Sequence, residues 1–312
     1  MHLLLPANMI EFDRLYRDEA SCRQALIAGR WPDGFICPKC GHDDGYELHV
    51  RPVIECTFCG HQASATAGTL FHNAKLTLNV LFKLVYLIVA EKSGTNACAL
   101  ARQCGISHAT ATLWTRKVRI VMGRREHAKL SGKVEVDETM LGGPAPGCPG
   151  RKLGPNQAWV LVMVEDGGGS CGRIRLEVAD TAAAEELEEL IEQNIERGSN
   201  VVTDGWQGYA ALAKKGYSHS TKIAKSHKDA SVELPLVHLV ASLLKRFIIG
   251  VLHGSWSRQW LPWLLEEFAF RFNRRRSKHR PLLFNRVLES GVIQRAPTRA
   301  ALTQFSTIAR AA

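Results

Sequence analysis

The feature that most restricts how this chain can fold is a doubled knuckle. Cys37-Pro-Lys-Cys40-Gly-His is followed, after fifteen intervening residues, by Cys56-Thr-Phe-Cys59-Gly-His. Each Cys-x-x-Cys-Gly turn sets two thiolates on one side of a tight loop, and two such loops complete a closed tetrahedral site for structural Zn2+. The competing use of the motif is a redox dithiol, which the doubling and the lack of a thioredoxin-like pattern disfavour. So small a module has little core of its own, and metal binding supplies much of its folding energy. His42, His49 and His61 are the other potential ligands, with exposed ribbon positions as the alternative. The remaining cysteines, Cys22, Cys98, Cys104, Cys148 and Cys171, are scattered, which suits a reducing cytoplasm; Cys98 and Cys104 read as packed thiols.

Around the knuckles the chain is long enough for two or three modules, at 312 residues, and its formal net charge of +10 favours a polyanionic partner. The opening Met1–Pro6 stretch is too short and lacks the basic start of a signal peptide, and no long apolar span is expected for a membrane. Glu11 to Ala28 reads as an amphipathic helix pair, and Leu76 to Lys92 as a buried apolar helix. Ala97 to Gln103, a turn at Gly105-Ile106-Ser107 and Ala109 to Val121 make a helix-turn-helix pattern, with Ser107 as the cap of the second helix. His108, Thr110, Thr112 and Arg116 are then placed to approach DNA, and an ordinary helical hairpin is the other reading. Arg116, Lys117, Arg119, Arg124, Arg125 and Lys129 lead on as a basic connector suited to phosphates.

Lys133-Val-Glu-Val-Asp-Glu-Thr-Met-Leu-Gly-Gly143 reads as a short strand that ends on Asp137 and Glu138 before the glycines break it. Gly142 to Lys152 is a Gly- and Pro-rich loop. Ala158 to Glu165 is a near-continuous apolar run, hence a central strand, and Asp166-Gly-Gly-Gly169 turns it into the alternating strand Arg173 to Val178. A helix from Ala182 to Arg197 leads to a fourth strand, Asn200 to Asp204, again acidic at its tip. That order predicts an α/β domain on a mixed sheet. Two strand-end carboxylates are what a pair of divalent cations needs to clamp the oxygens of a phosphodiester.

These motifs resemble bacterial insertion-sequence transposases that join a zinc ribbon to an ISXO-like DDE domain. The resemblance rests on the knuckles, on Val136-Asp137-Glu138-Thr139 with Gly142-Gly143, and on Thr203-Asp204-Gly205-Trp206. It rests also on Leu244-Lys245-Arg246 and on Glu267-Phe-Ala-Phe-Arg271-Phe-Asn273-Arg274-Arg275, so that it covers about Glu11 to Arg276. It implies an RNase H-like fold and Mg2+- or Mn2+-dependent cleavage and strand transfer on double-stranded DNA, at terminal inverted repeats and a target, by a homo-oligomer. It puts Asp137 and Asp204 in the first two acidic positions and Lys245 in the basic one. Seven residues before Lys245, where many such enzymes have Glu, stands His238; an imidazole ligates a divalent metal but removes a negative charge and favours manganese. Glu233 and Glu267 are the reserve carboxylates, with Glu267 paired to Arg271 or Arg274 as the alternative. Arg246, Arg271, Arg274, Arg275, Arg276, Lys278 and Arg280 are the further phosphate contacts, and Trp206 either stacks on an unpaired base or packs.

The expected division is residues 1–72 for helices and ribbon, 73–130 for the helix-turn-helix segment and connector, 131–290 for the RNase H-like catalytic domain, and 291–312 for a weakly held tail. Three rival readings stay open: an inactive DNA-binding regulator descended from such an enzyme, a repair or resolution nuclease of the same fold, and a zinc-ribbon scaffold for protein partners.

Overall fold

The computed structural model describes residues 6–48, 51–91, 93–123, 128–142, 153–154, 157–181, 183–223, 233–254, 256–277, 281–293, 297 and 302. They divide into two compact units, Met1–Arg125 with Ser277–Phe305, and Glu126–Arg276 with Ser306–Ala312.

The first unit opens with helices α1 (Met9–Leu15) and α2 (Glu19–Arg30), started by Asn8 and Asp18, whose side chains accept the otherwise orphaned N–H groups of Glu11 and Ser21. Strands β1 (Gly45–Glu47), β2 (Val53–Cys56) and β3 (Gln62–Ser64) form a small antiparallel sheet. Helix α3 (Leu78–Ala90) is apolar nearly all round and is buried to match, with Leu81, Phe82, Leu84 and Val85 fully enclosed. Helices α4 (Ala97–Cys104) and α5 (His108–Gly123) meet at Gly105, whose φ of 63° is left-handed and closes α4. The expected cap of α5 is present, since Ser107 Oγ accepts the Thr110 N–H at 3.2 Å. Cys98, expected to be packed, is exposed.

The second unit is built on a five-stranded sheet. Strands β4 (Lys133–Leu141), β5 (Ala158–Asp166) and β6 (Cys171–Ala179) run antiparallel; helix α6 (Ala184–Asn194) then crosses to β7 (Asn200–Thr203), and β8 (Ser218–Thr221) completes the order β6-β5-β4-β7-β8. The β4–β7 and β7–β8 pairs are parallel, as a helical crossover requires. This is the mixed sheet that the RNase H-like expectation called for. One sheet face, with Val160, Val162 and Val164, lies under helices α7 (Pro235–Leu252) and α8 (Leu261–Asn273) through Val240, Leu244, Leu264 and Phe268. The other, with Val134, Val136, Leu161 and Met163, packs on Leu187 and Ile191 of α6 and on Tyr209. Against the expectation of no long apolar span, α7 has 18 residues with mean hydropathy 1.7, long and apolar enough by composition to cross a bilayer. Its apolarity has a local cause: Val237, Val240, Ala241, Leu244 and Ile248 cover the sheet.

The free edge of β6 is covered by side chains from the end of α8. Asn273 accepts the Ile174 N–H at 2.8 Å and donates to the Ile174 carbonyl at 3.2 Å, standing in for a missing strand. Arg275 donates to the Gly172 and Cys171 carbonyls beside it. Further along the same strand, burial and then the Glu266 carboxylate push the Glu177 carboxyl up from 4.5 to about 7. A carboxyl whose folded pKa exceeds its unfolded one makes the fold bind more protons, so stability is full below pH 4.5 and is lost as pH rises through 7. Glu177→Gln, which cannot ionise, is expected to raise stability at pH 8 by about 2 kcal/mol and to flatten that slope, read by urea unfolding at pH 5 and pH 8.

The last helix, α9 (Pro281–Ile293), belongs to the first unit. Its Phe284 is fully buried among Phe12, Tyr16, Phe82 and Tyr86, with ring centroids 5.6–6.0 Å apart, and the Gly291 carbonyl accepts the Leu70 N–H at 2.7 Å. Val292 and Leu302 are buried as well. Arg124, Arg125, Lys278, Arg280, His49, Cys148 and the loop from Gly143 to Lys152 lie outside the described residues.

Candidate active site and zinc ribbon

The two knuckles fold as a matched pair. In the first, the Cys37 N–H donates to the His42 carbonyl and Gly41 N–H to the Cys37 carbonyl; in the second, Cys56 pairs with His61 and Gly60 with Cys56 in the same way. Gly41 and Gly60, at φ 77° and 65°, take the left-handed turn that a side chain would strain. The sulfurs of Cys37 and Cys59 lie 3.7 Å apart, as do those of Cys40 and Cys56, and all four are within 4.8 Å of one another. A tetrahedral ion with Zn–S bonds of about 2.3 Å needs sulfurs about 3.8 Å apart. The four thiols therefore fit Zn2+, and the three histidines are not needed. Although burial opposes it, N–H groups of Cys40 and Lys39 aimed at the Cys37 sulfur lower its pKa to about 6, toward the thiolate that a metal takes.

Strand β4 is longer than the sequence suggested. It runs on through Asp137 to Leu141 because β5 pairs with it along its whole length, from Val134↔Glu165 to Leu141↔Ala158. Asp137 is thus in mid-strand rather than at a strand end. What ends there is the partner on the other side: the β4–β7 ladder stops at Glu135↔Val202. Asp137 follows Glu135 by two residues and Asp204 follows Val202 by two, so both acids come just past the end of this ladder. Alternation puts Asp137 on the same sheet face as Glu135, its partner Val162 and the α7 layer, while Asp204 comes directly after β7, which ends at Thr203. Asp137 Oδ1 accepts the Glu138 N–H at 2.9 Å, and Asp204 Oδ1 accepts the Trp206 N–H at 3.0 Å in an Asx turn.

Glu135, which the sequence reading passed over, is 3% exposed and ties α7 to this face. Its Oε2 accepts the Leu236 and Val237 N–H groups at 2.9 and 3.2 Å, so a carboxylate caps the helix start next to His238. A buried acid within a β-branched run was the available signal. Lys245, two turns beyond His238 on the same side, borders a groove of about 350 Å³ with Met140, Leu141, Gly142, Ile248, Ile249 and Trp256. Among the described residues, the four cysteines are the only group of three or more potential ligands whose donor atoms all lie within 4.8 Å; Asp137, Asp204 and His238 are not drawn that close.

Behind the strand, the fully buried Tyr209 donates to Glu138 Oε2. Burial first, then Glu138, Asp137 and Asp204, raise the tyrosine pKa well above 10, so it stays a neutral donor. The bond spans from β4 to the turn that follows Asp204. Tyr209→Phe is expected to cost about 1–3 kcal/mol by taking the tyrosine's hydrogen bond from the half-buried Glu138, measured by chemical unfolding. Trp206, half-buried, packs edge-on against Tyr209 with ring centroids 5.6 Å apart.

The arginines of α8 and its end turn inward as much as outward. Arg271 donates through Nε and Nη2 to Glu267 at 2.9 and 2.6 Å, with its side chain only 10% exposed. Arg274 lies 4.2 Å over Phe270, Arg275 3.9 Å over Phe272, and Arg276 donates to Ser170 Oγ at 2.8 Å. Arg246 is exposed on the outer side of α7. In the first unit, His108 is exposed and Thr110, Thr112, Arg116 and Arg119 are half-buried along α5, whose other side is held by Ala111, Trp114, Val118 and Val121. Burial, then Arg119, lowers the pKa of Arg116.

A mixed five-stranded sheet in the order β6-β5-β4-β7-β8, covered by helices on both faces, is an RNase H-like architecture. Residues 129–273 match the ISXO2-like transposase domain and residues 17–62 the transposase zinc-ribbon domain. No curated protein matches the chain. The two domains together make the chain an insertion-sequence transposase, and DNA its partner.

Proposed function

We propose that this transposase cuts and joins DNA at Asp137 and Asp204, with His238 as the third ligand of a divalent-metal site. The observation that supports the reading is the β4–β7 register, whose last pair, Glu135↔Val202, stands two residues before both Asp137 and Asp204. Two carboxylates and an imidazole are a donor set suited to Mg2+ or, better, Mn2+. Bound there, such ions supply Lewis-acid activation of water or a 3′-hydroxyl and neutralise the departing oxygen.

The chain's own groups do the rest. Glu135 fixes the start of α7, so His238 is held on a rigid helix rather than a loop. Lys245 offers an ammonium to a phosphate at the groove mouth. Helix α5 reads the terminal repeat through His108, Thr110, Arg116 and Arg119, and joining two ends calls for a homo-oligomer working in the cytoplasm. The test uses a duplex ending in the inverted repeat that flanks the coding region, incubated with a target plasmid and Mg2+ or Mn2+. Joining of its 3′ end to the plasmid is expected. Folded, zinc-loaded protein that neither nicks nor joins with either cation overturns the proposal.

A further inference from the structure

The ribbon differs in charge from the rest of a chain whose net charge is +10. From Cys37 to Ser64 it carries Asp43, Asp44, Glu47 and Glu55 against only Lys39 and Arg51. Its tip is also apolar. Phe58, between the second pair of cysteines, is 77% exposed, with the His42 ring 5.5 Å away. Acids rim that ring: Thr57 Oγ1 donates to the Asp44 carbonyl and carboxylate at 3.2 Å, and the Asp43 side chain is 83% exposed. An apolar anchor with an anionic rim repels a phosphate backbone and suits a cationic protein surface with apolar neighbours.

Such a surface exists on the same chain. The outer side of α7 exposes Leu239 at 51% and Ile249 at 64%, and Arg246 falls between them at helical spacing on the same stripe. No residue of this stripe is needed to cover the sheet, which the opposite side of the helix does. We infer that the ribbon tip of one copy docks on the outer face of α7 of a second copy, Phe58 against Leu239 and Ile249, and Asp43 and Asp44 against Arg246. The patches differ, so the contact is heterologous. The inference stands whether or not Asp137 and Asp204 are the catalytic pair, because it concerns self-association alone.

The test is sedimentation of the full-length, zinc-loaded chain at low and high salt, without DNA. Self-association that weakens with salt is expected for the natural sequence. Asp43→Lys with Asp44→Lys is expected to weaken it at least about tenfold, as is Arg246→Glu alone, and combining all three changes to restore it. Zinc content of one ion per chain shows that each variant keeps its ribbon. Phe58→Ala, at an exposed position, is expected to weaken self-association and leave affinity for random duplex DNA unchanged. A monomeric natural chain, charge changes without effect, a triple variant that fails to recover, or a Phe58→Ala variant that loses DNA affinity instead each overturns the inference.

Discussion

Asp137→Asn is expected to give a folded protein that still binds DNA but cleaves and joins it at least about 10³-fold more slowly, a loss of about 4 kcal/mol of transition-state stabilisation. The substitution is nearly isosteric, and the Glu138 N–H that Asp137 Oδ1 accepts at 2.9 Å can be accepted by an amide oxygen, so the strand has no reason to distort. What disappears is one of the two formal negative charges of a candidate site whose third member is a neutral imidazole. Asp204→Asn is expected to do the same, for it too keeps its Asx turn to Trp206. His238→Glu adds a charge instead, and is expected to shift the preference from Mn2+ toward Mg2+. Single-turnover cleavage of end DNA in each cation, beside equilibrium DNA binding, separates these effects. Asp137→Asn protein with undiminished cleavage removes Asp137 from the chemistry.

The second large effect is loss of zinc. Removing the ion by a strong chelator, or one ligand by Cys56→Ser, is expected to unfold the segment from Cys37 to Ser64 while the sheet of the second unit stays protected. Cys56 is 1% exposed, its sulfur is 3.7 Å from that of Cys40, and β1–β3 total ten residues in three short strands with few enclosed apolar groups beyond Ile54 and Ala63. Binding of structural zinc contributes on the order of 10 kcal/mol, more than such a core can replace. Hydrogen exchange read by peptide gives the answer directly: fast exchange confined to the ribbon is expected, and a ribbon still protected without metal contradicts it.

Much of this was legible in the sequence because the signals are local. The knuckle spacing alone implied a tetrahedral site, the punctuation at Gly105 and Ser107 implied the turn between helices α4 and α5, and the apolar run Ala158 to Glu165 implied a central strand. Less legible was anything that depends on a partner strand. β8, with the polar sequence Ser218-His-Ser-Thr, has no hydrophobic pattern to announce it and exists because β7 offers it a ladder. The length of β4 was misjudged for the same reason, since β5 extends it past the acids. The arginine-rich end of α8 illustrates a further limit. Composition suggests phosphate contacts, whereas Glu267, Phe270, Phe272 and the open carbonyls of β6 were at hand to engage Arg271, Arg274 and Arg275.

By itself, then, the amino-acid order determined the four-cysteine zinc site, the helical and strand periods and the basic balance, all consequences of neighbours within a few residues. Only the tertiary structure decided that Glu135 is buried as the cap of α7, that Tyr209 reaches Glu138 across seventy-one positions, and that α9 returns to the first unit to enclose Phe284. The reason is physical. Burial of a charge or closure of an aromatic cluster depends on which surfaces meet, and a one-dimensional pattern states what a surface is made of but not what it meets.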